Sequence, residues 1–286
     1  QSIIDTGLIS LNEDFKIYWN DFPIAKLTTG SDYLNPNFDL IVDDIIDLNP
    51  KQKLNEYINK WLNSKINSVL KSLIDLKNIK ENNSSIKALA YQLYENNGVL
   101  KREQVSEYLK NLEQNERRIL RELGVKFGRY HVFLHQLIKP EAVSLRTLLW
   151  KNFHQKYHNL KPPIFGLNFI EDKSFKNRNF MLLCGFENFD RFFVRIDILE
   201  RLFLLIINSN SKEKNDIKII PEMLNLLGCN KENFKKLLKK MNYKVFEKEN
   251  ETYFKYNPVS KLKKPQIKKI SAENPFGILK NLNLNN

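Results

Sequence analysis

Between Ile217 and Tyr256 the chain is punctuated so closely that few folds accommodate it. Ile217 to Ile220 is a short β-forming run. Pro221 stands where a first helical turn accepts a residue without an N–H, and Gly228 follows Leu227 as a left-handed stop. Asn230 offers a cap to a second helix whose Phe234, Leu237, Leu238 and Met241 fall on one face. Tyr243 to Phe246 and Thr252 to Tyr256 then read as two strands joined by a polar turn over 247–250. Helix, short turn, helix and hairpin is the outline of a winged helix, so the spacing predicts a winged-helix-like α+β subdomain over 161–257.

Upstream the period is mainly helical. Leu54, Tyr57, Ile58, Trp61, Leu62, Ile66, Val69, Leu70, Leu73 and Ile74 form one broad stripe over 50–80, predicting a long amphipathic helix broken at most once. Ser84 or Ser85 opens another helix, with Ile86, Leu89, Ala90 and Leu93 inward and Gly98 behind it. Two short helices over 101–110 and 113–123 should end at Gly124, with Arg117, Arg118 and Arg121 on a solvated face. VKFGRYHVFL, over 125–134, reads as a tight hairpin or an extended surface segment. Pro140 opens a helix expected to run to about Tyr157, and Lys161-Pro162-Pro163 forbids its continuation, placing a border near 160. A β region precedes all this, with Phe15, Ile17 and Trp19 alternating before an Asn20-Asp21 turn and a return through Ile24, Ala25 and Leu27.

After the border, 181–186 and 191–196 read as strands. Asp197 and Glu200 occupy the N-cap and N3 positions of a capping box ahead of an apolar helix, and 209–216 reads as an exposed loop. The expected class is mainly α with small β hairpins (α+β). Its order is an acidic β-containing lead-in over 1–49, a helical accessory domain with a basic hairpin-like segment over 50–160, the winged-helix-like subdomain, and a basic flexible tail over 258–286.

Composition narrows the function classes. With 286 residues and 42% hydrophobic content, the chain needs no metal or disulfide simply to fold. The longest wholly apolar run, Leu202 to Ile207, is far short of the roughly 20 residues that cross a bilayer. No secretion signal opens the sequence, and Cys184 and Cys229 make no disulfide framework, so a reducing, cytoplasmic setting is the expectation. A first residue of Gln rather than Met fits a processed chain or a piece of something longer. None of the nine glycines begins a Gly-Lys-Ser/Thr step, so the phosphate loop of a nucleotide hydrolase is missing and this chain alone should not hydrolyse ATP. Asp43-Asp44 therefore has no nucleotide-bound magnesium to serve. His154 with His158, and His131 with His135, share a metal-ligand spacing, but no glutamate follows the first histidine as in a zinc protease. No catalytic residue, cofactor or metal ligand is expected.

Charge points elsewhere. The formal net charge is +13, and the first fifty residues hold nine carboxylates against two lysines, so the positive excess lies after them. Such a field concentrates phosphate backbones, although a coding bias that enriches Lys and Asn together would also produce it. Residues 230–248 contain seven lysines and two glutamates. Lys235, Lys236, Lys239 and Lys240 form a stripe opposite Phe234 and Leu238, with Lys244 just beyond, at the recognition-helix position. Phosphate contact, a solvated face and a protein-docking surface all fit such a stripe. Lysine suits phosphate better than base edges, so any binding here would read backbone more than sequence. A second group, Lys126, Arg129, His131 and Lys139, surrounds Phe127, Tyr130 and Phe133. Cations beside a stacking ring hold single strands, and aromatic core packing with incidental charge fits equally. His131 reads either as an edge-strand residue bonded to backbone or as a phosphate or base contact.

Several blocks carry a resemblance: WNDFPIAKLTTGSDYLNP (19–36), WLNSKINSVLKSLIDL (61–76), ALAYQLYENNGVLKREQV (88–105), LRELGVKFGRYHVFLHQLIKPEAVSLRTLLW (120–150), VRIDILERL (194–202) and MLNLLGCNKENFKKLLKKMNYKV (223–245). In this order they resemble the C-terminal, non-motor region of alphaproteobacterial Suv3-like superfamily 2 helicases. GVKFGRYHVFLHQLIKP is the most specific block, and His135 replaces the proline usual there. The resemblance implies an accessory region of an ATP-dependent helicase that binds or guides RNA or DNA. It also implies motor lobes, with their ATP and Mg, located before Gln1. A monomer is expected. Two alternatives stand beside it, a structural or protein-docking module, and a winged-helix DNA-binding regulator that would need a two-fold dimer.

Overall fold

Alternation of apolar and polar residues builds a four-stranded antiparallel meander at the start, two strands more than the expected hairpin. The structure, a computed structural model, describes residues 8–41, 48–80, 84–172, 177–209 and 216–257. β1 (Ile9–Leu11), β2 (Lys16–Trp19), β3 (Phe22–Asp32) and β4 (Asn35–Leu40) pair in sequence order. Asn20 turns β2 into β3 at φ 50°, a left-handed conformation that Asn tolerates. Ile17, Ala25 and Leu27 are buried as their spacing requires. Phe15 lies before β2 at φ 65° and does not belong to the strand.

The long apolar stripe becomes α1 (Leu48–Val69) and α2 (Lys71–Lys77), broken once at Leu70. α3 (Ser84–Glu95) ends in Asn97 and Gly98, both at positive φ. The next helix begins later than its sequence suggests: β5 (Val99–Lys101) is a strand, a 3-10 turn covers Arg102–Val105, and only then does α4 (Ser106–Asn111) start. In α5 (Gln114–Glu122) Glu116 accepts a 2.8 Å bond from the N–H of its cap residue Glu113, closing a capping box. Arg117 does not stay on a solvated face; it bonds the carbonyls of Leu109 and Leu112. β6 (Val125–Phe127) and β7 (His131–Leu134) are the expected hairpin, and β5 completes a sheet ordered β5-β7-β6 with β7 in the middle.

α6 (Pro140–Phe153) opens on its proline but ends before Tyr157, where a 3-10 turn takes over at Gln155–Tyr157. Its Arg146 is wholly buried. The guanidinium donates to the carbonyls of Asn97 (2.6 Å), Leu137 (3.2 Å) and Leu183 (2.5 Å), tying three separate segments together. Asn152 donates to Thr28 O at 3.0 Å and fixes α6 on the first sheet.

Beyond the paired prolines come β8 (Phe169–Glu171), α7 (Arg178–Leu183), β9 (Phe186–Phe189), β10 (Phe192–Arg195) and α8 (Ile196–Asn208), with a sheet ordered β8-β10-β9. The expected strand over 181–186 is thus helix to Leu183, turn at Cys184 and Gly185, and strand only from Phe186. Asn177 caps α7 by accepting from Phe180 N at 2.9 Å, and Gly185 at φ 84° ends the turn before the chain extends. A short apolar run buried on all sides carries no readable period. The expected capping box at Asp197 and Glu200 does not form: Arg195 occupies the N-cap position of α8, Asp197 pairs with Arg195 at 2.7 Å, and Glu200 turns elsewhere.

The chain closes with β11 (Ile217–Lys218), α9 (Pro221–Leu227), α10 (Lys231–Lys240), β12 (Tyr243–Lys248) and β13 (Glu251–Tyr256). Gly228 stops α9 at φ 70°, and Asn230 accepts from Asn233 N at 2.8 Å to cap α10. Glu249 and Asn250, both at positive φ, make the two-residue turn of the last hairpin. Its sheet is ordered β11-β13-β12. One core joins the first sheet to the helices before residue 150, and a second joins β10, α8, α9, α10 and the last hairpin. Val143 and Trp150 of α6 pack with Phe180, Phe186 and Phe193 across the proline border. The described fold is mixed helix with small antiparallel sheets. Most of 209–216, the tail over 258–286 and Asp43-Asp44 lie outside the described residues. Among those residues no helix is long and apolar enough to cross a membrane.

Candidate functional site

Where β6 turns into β7, residues 129–131 leave backbone N–H groups aimed out of their own sheet, and Glu200 of α8 receives them. Its Oε2 accepts from Arg129 N at 2.5 Å, and its Oε1 accepts from Tyr130 N and His131 N at 2.9 Å each. Gly128 makes the approach possible, because a Cβ there would stand 2.6 Å from both carboxylate oxygens. From the other side Arg102 donates through Nη1 to Gly128 O at 2.7 Å and through its backbone N to Tyr130 O at 2.8 Å. Tyr130 reaches β12, where its hydroxyl lies 3.1 Å from that of Tyr243. Burial pushes both phenols up. Tyr130→Phe should cost about 1 kcal/mol in urea unfolding, the net worth of one such bond.

His131 occupies the centre of its sheet and not an edge, and it is buried. Nε2 lies 2.7 Å from Glu187 Oε2, while Nδ1 stands 3.6 Å from Glu200 Oε1, beyond hydrogen-bond length. Burial works against a charged imidazole, yet the bond to Glu187 and the two carboxylate charges outweigh it, so the pKa is raised. Burial likewise opposes ionisation of Glu187. The His131 hydrogen bond and charge, then Lys101 and Arg178, overcome this and hold the carboxyl at about 2. Arg178 contacts Glu187 Oε1 at 3.0 Å, and Lys101 stands 4.0 Å away. His131 is therefore an interior residue whose protonated form its two carboxylates favour, not a surface contact.

Two cavities flank the anchored tip. One, of about 490 Å³, is lined by Phe203, Ile206, Ile207, Ile217 and Tyr243, with Arg102 and Arg129 among its polar residues. The other, of about 440 Å³, is lined by Lys101, His131, Glu187, Asp190, Lys240 and Asn242. Glu103, Arg129, Tyr130 and Tyr256 belong to both, forming a shared wall. The Arg129 guanidinium lies 5.3 Å from the centre of the Phe203 ring, and Tyr130 meets the same ring edge-on. Tyr256 is 62% exposed.

The two sequence-predicted groups meet here in part. Arg129, Tyr130 and Lys240 share the polar cavity, whereas Lys126 on β6 and Lys139 at the cap of α6 are exposed and line neither cavity. On α10, Lys235 is committed to Glu232 (3.3 Å) and Glu247 (2.9 Å), and Lys240 to Asp190 (2.8 Å). Lys236, Lys239 and Lys244 are exposed and carry no ion pair among the described residues. Sequence reasoning missed Lys101, Arg102, Phe203 and Tyr256. Among the described residues no three His, Cys, Asp or Glu side chains are grouped to hold a metal. His154 instead packs on Trp150, and His158 on Phe15. Comparison with protein-family models, with curated proteins and with solved structures returns no match for this chain.

Proposed function

We propose that this chain is a nucleic-acid-binding region that holds RNA or DNA mainly through the phosphate backbone, as the accessory part of an ATP-dependent helicase. The observation that carries the reading is the division of labour on α10. Lys235 and Lys240 are spent on ion pairs within the chain, while Lys236 and Lys239, at i,i+3 spacing, and Lys244 on the next strand are exposed and carry no ion pair among the described residues. We read the unit from α8 to β13 as a winged helix, a reading supported by its helix–turn–helix–hairpin order, and in it these lysines belong to the recognition helix and the strand after it. Arg129, exposed and without an ion pair among the described residues, adds a further cation to this surface. The helicase assignment rests on the sequence blocks that carry the resemblance, and ATP and Mg belong in it to motor lobes outside this chain.

A fluorescence-anisotropy titration of the full chain with a labelled strand is the test. Affinity should fall steeply between about 50 and about 200 mM salt, because each neutralised phosphate contributes about −0.7 to −0.9 to the log–log slope. Changing Lys236, Lys239 and Lys244 together to Glu should weaken binding at least about tenfold and flatten that slope by about 3. Binding that ignores salt, or that survives the triple change unaltered, refutes the proposal.

A further inference from the structure

We infer that the apolar cavity takes one unstacked base of a single-stranded segment, with the adjoining phosphate on Arg129 at the wall it shares with the polar cavity. This rests on the strand-binding reading above and names its substrate class. The argument begins from the chemistry of the two linings. Phe203, Ile206, Ile207, Ile217 and Tyr256 give one cavity rings and branched apolar side chains, a surface that favours a flat aromatic body over a phosphate. Tyr256 at 62% and Ile207 at 51% exposure are wetted, so covering them is favourable. The other cavity mixes charges: Lys240 is paired with Asp190 and Lys101 stands 4.0 Å from Glu187, which leaves the exposed Arg129 as its cation without an ion pair among the described residues.

The shared wall makes the pair selective. A ligand that crosses Arg129 and Tyr130 must be apolar and flat at one end and anionic at the other, within one residue's span. A nucleotide of an unpaired strand has that form. A base inside a duplex has its edge paired and both faces covered, and cannot enter without being extruded. Glu103, also on the shared wall, repels phosphate and accepts hydrogen bonds from exocyclic amino groups of a base, so the phosphate is confined to the Arg129 side of the wall. The tip itself is held by Glu200, Arg102 and Tyr243, so the wall is formed before a strand arrives.

The experiment compares three labelled probes on the full chain: a single strand, the same strand with abasic sugars at its central positions, and the corresponding duplex. The base-bearing single strand should bind about 5- to 150-fold more tightly than the abasic strand, the range for loss of one stacked base. It should also bind more tightly than the duplex. Tyr256→Ala should remove the advantage over the abasic strand and leave the abasic affinity unchanged, with an unaltered urea midpoint confirming the fold. Arg129→Gln should weaken both strands alike. If base-bearing and abasic strands bind equally, or if Tyr256→Ala leaves their difference intact, base insertion is wrong while salt-sensitive strand binding stands. If no probe binds in a salt-sensitive way, both readings fall together.

Discussion

Gly128→Ala is expected to lower the free energy of unfolding by about 3–5 kcal/mol, a large cost for one methyl group at a hairpin tip. The added Cβ would stand 2.6 Å from both oxygens of Glu200, and neither partner can yield freely. Glu200 is held by three backbone N–H groups, and its side chain is only 14% exposed. Hydrogen bonds to a charged acceptor are worth about 1.5–3 kcal/mol each, and because the three share one carboxylate they are lost together without adding fully. Glu200→Gln keeps the shape and loses the charge, so about 1–2 kcal/mol is expected there. The decisive comparison is a double-mutant cycle in urea. With Glu200 already changed to Ala, adding Ala at position 128 should cost little, since nothing remains for its methyl group to displace. A Gly128→Ala chain as stable as the parent would show that the anchor contributes nothing.

The same anchor explains what a linear reading finds and what it misses. Local signals were legible wherever one residue type has one backbone role. Pro140 and Pro221 open helices, Gly228 and Gly98 close them, and Asn230 caps α10 through its own side chain. The Glu249-Asn250 turn and the β6–β7 hairpin follow from comparable local chemistry. Errors arose where a local pattern competed with a distant partner. Asp197 and Glu200 have capping-box spacing, but three amides some seventy residues away in sequence hold Glu200 more strongly than its own helix end does. Met181 to Leu183 is apolar on every side, so helix and strand look alike there.

The candidate site was half legible for a related reason. Lysine spacing on α10 places a stripe on one face, but it does not say which lysines find carboxylates. Glu247 and Asp190 arrive from a following strand and a preceding turn, and take Lys235 and Lys240 out of the free set. Arg129 and Tyr130 stood out as a cation beside a ring. That they face Tyr256 and Lys240 depends on the fold of both units. Phe203 reads as core because it lies in the apolar run Leu202 to Ile207, and Lys101 reads as one more surface charge. His131 shows the converse: a titratable residue in a basic run is absorbed into the interior once Glu187 comes opposite it.

That burial gives stability a defined pH window. Glu187 lies at about 2 in the folded chain against an ordinary 4.5, so its contribution, about 3 kcal/mol near neutrality, is complete above about pH 4.5 and is lost as pH falls toward 2. His131 has the opposite sign. Its folded pKa is raised above 6.5, so its contribution is complete below about 6.5 and drains away as pH climbs through the folded value. The groups facing it are Glu187 on β9 and Glu200 on α8, with Lys101 on β5 and Arg178 on α7 behind Glu187. Both carboxylates favour the cation, and the lysine and arginine limit the gain. Urea unfolding across the pH range should therefore give a plateau from about 4.5 to about 6.5, with a decline on each side. His131→Gln should abolish the alkaline decline while costing about 3–5 kcal/mol on the plateau, because Glu187 then stays buried without its closest cation. The ring proton of His131 in NMR should titrate above 6.5. Titration below that value, or stability that rises from pH 6.5 to 8 with His131 intact, would mean that the imidazole is buried neutral and that Glu187 is balanced by Arg178 and Lys101 alone.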